Sequence, residues 1–162
     1  MSDKIKLLIV DDEVKFLDSI SRRLEMRGFD VTKATNGRQA LDAAHRASFD
    51  LALLDLKMPG LNGQQVLGML KDEHEYLEVI ILTGHGSVDS AVECTKLGAF
   101  GYLPKPYELE KLLEVLKDAY HARLRNKFKM DDERAKKIMR LAMGSSPLGI
   151  LRELRKLDDE EK

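Results

Sequence analysis

Short apolar runs alternate with stretches of helical period along the first 120 residues, and four of the runs end in residues that carry chemistry. LLIV (7–10) leads into Asp11, Asp12 and Glu13. LALL (51–54) leads into Asp55 and then Lys57-Met58-Pro59-Gly60. VIIL (79–82) leads into Thr83 and Gly84, and AFGYL (99–103) into Pro104, Lys105 and Pro106. Runs of this length between helical segments are the pattern of buried parallel strands. FDVTKA (29–34) adds a shorter strand, second in chain order.

Five helices are predicted between and after these strands. Val14, Phe16, Leu17, Ile20 and Leu24 keep roughly one face, with Gly28 as a stop. Asn36-Gly37 turns into a helix carrying Ala40, Leu41, Ala43 and Ala44. A third helix spans about Gly63 to His74, with Val66, Leu67 and Leu70 inward. Ser87 is the N-cap of a fourth, which holds Ala91, Val92 and Leu97 and ends at Gly98. A fifth begins near Tyr107 and buries Leu109, Leu112, Leu113, Leu116 and Tyr120.

Strand and helix thus alternate five times. Right-handed crossovers then give an α/β fold, a five-stranded parallel sheet with helices on both faces. Ligands of such sheets bind beyond the carboxyl ends of the strands. Three acids, a hydroxyl and a lysine are therefore expected at one edge.

Residues 122–162 form a helical extension in this reading, after a domain covering 1–121. HARLRNKFK continues the fifth helix past the sheet, and its basic residues are expected on a solvated face. A new helix starts at Asp131-Asp132-Glu133 and carries Ile138, Leu141, Ala142 and Met143. After Gly144-Ser145-Ser146-Pro147, a last one carries Leu148, Ile150, Leu151, Leu154 and Leu157. This apolar stripe is expected to pack on the domain, on a second copy or on a partner.

Charge changes the picture little. The net charge is −1, with a balance of −5 over residues 1–120 and +4 over 121–162. Such values leave no nucleic-acid or membrane footprint. Cys94 is the single cysteine, which rules out an intramolecular disulfide and a thiolate metal cluster. There is neither a membrane-length apolar run nor a signal-peptide core in MSDKIK, so a cytoplasmic protein is expected. Cys94 is read as a small buried apolar residue, and His45, His74 and His121 as surface residues.

The acids decide the chemistry. Carboxylates about 4 Å apart repel by roughly 4 kcal/mol at an effective dielectric near 20, so Asp11, Asp12 and Asp55 in one cleft call for a cation. Hard oxygen ligands suit Mg2+. An aspartate can also act as a nucleophile towards phosphorus, and phosphoryl transfer needs positioning and charge neutralisation above all. Lys105 would neutralise one side of the transferring group, while the Thr83 hydroxyl and the Gly84 N–H donate to its oxygens.

VDDE, LLDLKMPG, ILTGHG and YLPKP stand in an order and spacing that closely resemble the CheY-like receiver domain of bacterial response regulators, over about residues 4–121. LTGHGSVDSA particularly resembles receivers of nitrogen-regulator-type (NtrC-like) activators. The resemblance implies a flavodoxin-like sheet of order 2-1-3-4-5. It implies Asp55 as phosphoacceptor, Asp11 and Asp12 as the acidic pair for Mg2+, and the Lys57 carbonyl as a further ligand. Lys105 would pair with the phosphoryl group, next to a cis Lys105–Pro106 bond. Thr83 and Tyr102 match the switch pair. A sensor histidine kinase or phosphotransfer protein is the implied donor. The implied output is a downstream protein or a self-dimer, met through the surface of the fourth helix, fifth strand and fifth helix. A receiver catalyses only its own phosphorylation and dephosphorylation. Lys57 and His85, each two residues past a site residue, are placed to reach over the phosphoryl group or into solvent.

Three other readings compete. A haloacid-dehalogenase-type phosphatase wants a DxD pattern after its first strand, but here position 13 is Glu and the best nucleophile, Asp55, sits after the third strand. A constitutive, unphosphorylated interaction module would not need the acids, Thr83 and Lys105 together. A receiver cut from a longer transcription regulator is the third; the chain carries no nucleotide-binding GxxxxGK.

Overall fold

The computed structural model describes residues 4–84 and 88–128. Its elements in chain order are β1 (Lys6–Val10), α1 (Val14–Met26), β2 (Asp30–Ala34), α2 (Gly37–Arg46), β3 (Leu51–Leu54), α3 (Gly63–Glu73), β4 (Glu78–Thr83), α4 (Val88–Lys96), β5 (Gly101–Pro104) and α5 (Leu109–Phe128). The strands form one sheet in the order β2-β1-β3-β4-β5. Every pairing is parallel. This is the flavodoxin-like order, as expected.

The apolar strands divide their side chains between two cores, because successive residues of a strand face opposite ways. Leu7, Ile9, Leu51, Leu53, Ile80 and Leu82 pack with α1 and α5. Leu8, Val10, Ala52, Leu54, Val79 and Ile81 pack with residues of α2, α3 and α4. Burial on both faces is why these runs are continuously apolar rather than alternating.

The helix ends follow local chemistry. Asn36 caps α2, its side chain accepting from the Gln39 N–H at 2.9 Å. Asn62 and Gln65 form a reciprocal capping box on α3, with bonds of 2.9 and 3.1 Å. Gly28 and Gly98 follow α1 and α4 with positive φ, the conformation glycine adopts without a Cβ clash.

Several expectations are corrected. Val92 and Leu97 are exposed, at 46% and 39%, whereas Cys94 of α4 is buried. Leu97 falls one residue beyond the helix, beside the Gly98 turn, and so leaves the inward stripe. Val14 is exposed because it opens α1 at the edge of the stripe formed by Leu17, Ile20 and Leu24. α5 starts at Leu109 rather than near Tyr107. His74 and His121 are half-buried, not at the surface.

The largest correction concerns Arg123, expected on a solvated face. It is buried at the amino-terminal edge of the sheet. Its Nε lies 3.3 Å from Asp50 Oδ1 and its Nη1 donates to the Tyr76 carbonyl at 3.2 Å. Asp50 also accepts the Lys6 N–H at 2.9 Å. Three residues on, Asn126 Nδ2 donates to the buried Glu78 at 3.2 Å. Buried carboxylates need such partners, and these two fasten the end of α5 to the starts of β3 and β4. α5 is continuous through position 121 to Phe128. The expected helices from Asp131 onward, together with Ser87 and His85, lie outside the described residues.

Candidate functional site

Asp11 and Asp55 each stand one residue past the end of a strand, β1 and β3, which are neighbours. Both extend the sheet's ladder: the Asp11 N–H donates to the Ala34 carbonyl at 3.1 Å, and the Asp55 N–H to the Val10 carbonyl at 3.0 Å. Their backbones therefore share the register of the sheet and emerge side by side at its carboxyl edge. Asp11 is 2% exposed and Asp55 5%, whereas Asp12 is open to solvent. One carboxylate oxygen from each of Asp11, Asp12 and Asp55 lies within 4.8 Å of the others.

Backbone donors fix two of these side chains. Asp11 Oδ1 accepts the Glu13 N–H at 2.9 Å, at the start of α1. Asp55 Oδ1 accepts the Lys57 N–H at 3.1 Å. The loop after Asp55 is held from behind, because Met58 is buried in the core beneath α2 and α3. Gly63 closes it: a Cβ there would come within 2.6 Å of the Asp55 carbonyl and 2.5 Å of Leu56 Cα. Only a residue without a side chain lets the start of α3 lie this close to the end of β3.

Lys105 enters from the end of β5. Its ammonium bonds directly to Asp11 Oδ2 and stands 3.7 Å from Asp55 Oδ2 and 3.8 Å from Glu13 Oε1. The three aspartates and this lysine leave two negative charges, the complement of a divalent cation. The donors are hard oxygens with no nitrogen or sulfur among them, a set that suits magnesium. Burial holds the Asp55 carboxyl above its usual range; the Lys57 N–H opposes this, Asp11 and Asp12 add to it, and Lys105 pulls it back. Beside the acids a cleft of about 410 Å³ is lined by Glu13, Phe16, Asp55, Lys57, Gly84, Lys105 and Pro106.

Acids from two adjacent strand ends and a lysine from a third thus meet beside an open cleft at the carboxyl edge of the sheet. The sequence model of the response regulator receiver domain matches residues 7–117, a stretch that contains all of these groups. This chain is a response regulator receiver.

The receiver is 36% identical over 119 residues to the transcriptional regulatory protein FixJ of Bradyrhizobium diazoefficiens, covering 74% of this chain and 58% of that one. It is 36% identical over 108 residues to the DNA-binding transcriptional regulator NtrC of Klebsiella pneumoniae, covering 67% of this chain and 23% of NtrC. NtrC regulators are thus among its relatives, as the resemblance implied. Among solved structures, a CheY-like receiver domain protein of Methanospirillum hungatei superposes with a TM-score of 0.73 at 30% identity, over 76% of this chain and 98% of that one. The receiver spans little more than half of FixJ and about a quarter of NtrC.

The remaining expected residues fall as follows. Gly84 lines the cleft, with open space where a Cβ would stand. Thr83 is the last residue of β4, level with Pro104 of β5; its side chain lies outside what is described. Tyr102 is half-buried against the α4-side core, and its hydroxyl has no hydrogen-bond partner among the described residues. The Lys105–Pro106 bond is cis.

Sequence reasoning missed Phe16 and Tyr107 as neighbours of the site. Phe16 was visible only as one apolar position of α1, yet its ring lies 4.0 Å from Lys105 Nζ. Among the described residues no helix is long and apolar enough to cross a membrane.

Proposed function

We propose that this receiver accepts a phosphoryl group on Asp55 from the phosphohistidine of a sensor kinase or phosphotransfer protein, and that the modification switches a protein-binding surface. The observation that carries this reading is the convergence of Asp11, Asp12 and Asp55 within 4.8 Å, with Lys105 beside them.

In the transfer, an Asp55 carboxylate oxygen attacks phosphorus. The O–P bond forms as the P–N bond to the donor imidazole breaks. The electron pair leaves on the imidazole nitrogen, which takes a proton from solvent. Asp11, Asp12, Asp55 and the Lys57 carbonyl would hold Mg2+, which would supply neutralisation of charge on the phosphoryl oxygens. The Lys57 N–H orients the Asp55 carboxylate for attack. Lys105 exchanges its bond to Asp11 for one to a phosphoryl oxygen. The Thr83 hydroxyl and Gly84 N–H donate to the others, as preorganised donors do where charge develops.

The output reading follows from the switch pair. Movement of Thr83 towards the phosphoryl group opens space for the Tyr102 ring, which remodels the surface of α4, β5 and α5. The exposed Val92 of α4 supports that face as the site of a downstream partner or of self-association. Because α5 carries Leu124 and Arg123 into the receiver's core, we assign the receiver through Phe128, past the expected end at 121, and residues 129–162 to an extension that sets the choice of partner or oligomeric state. The reactions catalysed are its own phosphorylation and dephosphorylation, in the cytoplasm.

Intact mass after incubation with acetyl phosphate tests the reading. Wild type with Mg2+ gains one phosphoryl group, while Asp55→Asn and metal-free wild type gain none. Equal labelling of Asp55→Asn would overturn the assignment.

A further inference from the structure

Lys105 is held from two sides, and only one of them is acidic. Asp11, Asp55 and Glu13 crowd its ammonium on one side. Against it also lies the ring of Phe16, its centroid 4.0 Å from Nζ. The lysine side chain is 13% exposed, so the ammonium is largely out of water, where attraction to an aromatic face is strongest. Phe16 is partly buried and packed on the α1–α5 core.

The ring is itself braced. Tyr107 meets it in a T-shaped contact, with centroids 6.3 Å apart and planes at 89°. Tyr107 follows Lys105 by two residues, so one loop carries both the cation and the brace for the ring on which the cation rests. Phe16, Lys105 and Pro106 line the same cleft as Asp55.

We propose that Phe16, braced by Tyr107, is a positioning residue that fixes Lys105 for phosphoryl transfer. The inference rests on the reading of Asp55 as acceptor. Its physical content is that an aromatic face attracts the ammonium without offering a lone pair. The three N–H groups of Lys105 stay available to oxygens, while the side chain is kept from swinging into solvent. A carboxylate in that place would hold the cation more strongly and compete with the incoming phosphoryl group. An aliphatic residue would fill the volume but leave the ammonium unheld on that side.

The test compares wild type with Phe16→Leu, Phe16→Trp and a protein carrying a ring-fluorinated phenylalanine at position 16 alone. Fluorination weakens the negative face of the ring with little change in shape, which keeps the test valid if Phe16→Leu folds poorly. Two quantities are read: the rate of phosphorylation by acetyl phosphate at saturating Mg2+, and, without metal, the proton shift of the Lys105 ε-methylene. In the wild type that shift is moved upfield by the ring current, and in Phe16→Leu it returns to its ordinary position. The rate falls roughly two- to thirty-fold in Phe16→Leu, the range of one cation–π contact, and by an intermediate factor in the fluorinated protein. Phe16→Trp stays within about twofold of wild type, because indole is the strongest cation–π partner.

Equal rates in wild type and Phe16→Leu overturn the proposal, as does a Trp variant no faster than Leu, which would make the role one of packing. If the wild type is not phosphorylated at all, the reading of Asp55 fails and this proposal with it; wild-type phosphorylation that does not respond to the ring overturns the role of Phe16 alone.

Discussion

Lys105 Nζ bonds to Asp11 while standing 3.7 Å from Asp55. The lysine is thus the resident cation among three aspartates whose oxygens suit a divalent one. Lys105→Met removes that competitor and one unit of positive charge. We expect about tenfold tighter Mg2+ binding by calorimetry together with slower phosphorylation, since charges about 4 Å apart interact by several kcal/mol at most near a protein surface. Weaker Mg2+ binding in this variant would mean that Lys105 organises the acids rather than opposing the metal.

Asp55 gives a stability prediction with a definite sign. Its folded carboxyl is held above the ordinary value of 3.8 by burial, so the folded state favours the protonated form. The corresponding stabilisation is present below 3.8 and is lost as pH rises through the folded value. At neutral pH without metal, Asp55→Asn should therefore melt higher than wild type, with each 1 kcal/mol relieved adding roughly 2–8 °C. Saturating Mg2+ should narrow the gap by stabilising the wild type more. A lower melting temperature for metal-free Asp55→Asn contradicts this.

Much of this site is written in the sequence, for a physical reason. Asp11-Asp12 and Asp55 follow apolar runs that form buried strands, Lys105 follows the half-buried β5, and parallel strands deliver their ends to one edge. The opposite edge was not legible. Asp50 and Glu78 precede apolar runs, where polar residues are ordinary turn material, and Arg123 lies in a helix segment whose other basic residues hid it. Only tertiary packing pairs them. Helical period also misplaced Val92 and Leu97, because a nine-residue helix has too few turns to define its buried stripe.

That opposite edge makes its own prediction. Arg123→Leu removes the ion pair between Arg123 and the buried Asp50, and breaking a buried pair costs about 3–5 kcal/mol. Urea unfolding should show this loss, partly recovered in Asp50→Asn/Arg123→Leu, whereas phosphorylation in the folded fraction stays near wild type. An Arg123→Leu protein of wild-type stability would mean that the pair contributes nothing.

Glu78 is the pH-sensitive member of that group. Burial raises its carboxyl above 4.5, against the opposing influence of Lys71, Asn126, Arg123 and Arg125. Its stabilisation is therefore present below 4.5 and lost as pH rises through the folded value. Glu78→Gln should flatten the stability–pH curve above 4.5 relative to wild type. Parallel curves for the two proteins would contradict the sign.

Gly63→Ala probes the seat of the acceptor loop. The added Cβ would press on Asp55 O and Leu56 Cα, backbone atoms that cannot swing aside. A loss of about 1–3 kcal/mol by urea unfolding is expected, with slower phosphorylation because the Asp55 backbone must shift. Unchanged stability would show that α3 moves freely away from the loop.

The most direct measurement is reductive trapping of the acyl phosphate. Borohydride reduces an aspartyl phosphate to homoserine, and peptide mass then names the residue. After phosphorylation with Mg2+, homoserine should appear at position 55 and nowhere else. Homoserine at Asp11 or Asp12, or a phosphoryl group gained with no reducible aspartate, would contradict the role given to Asp55.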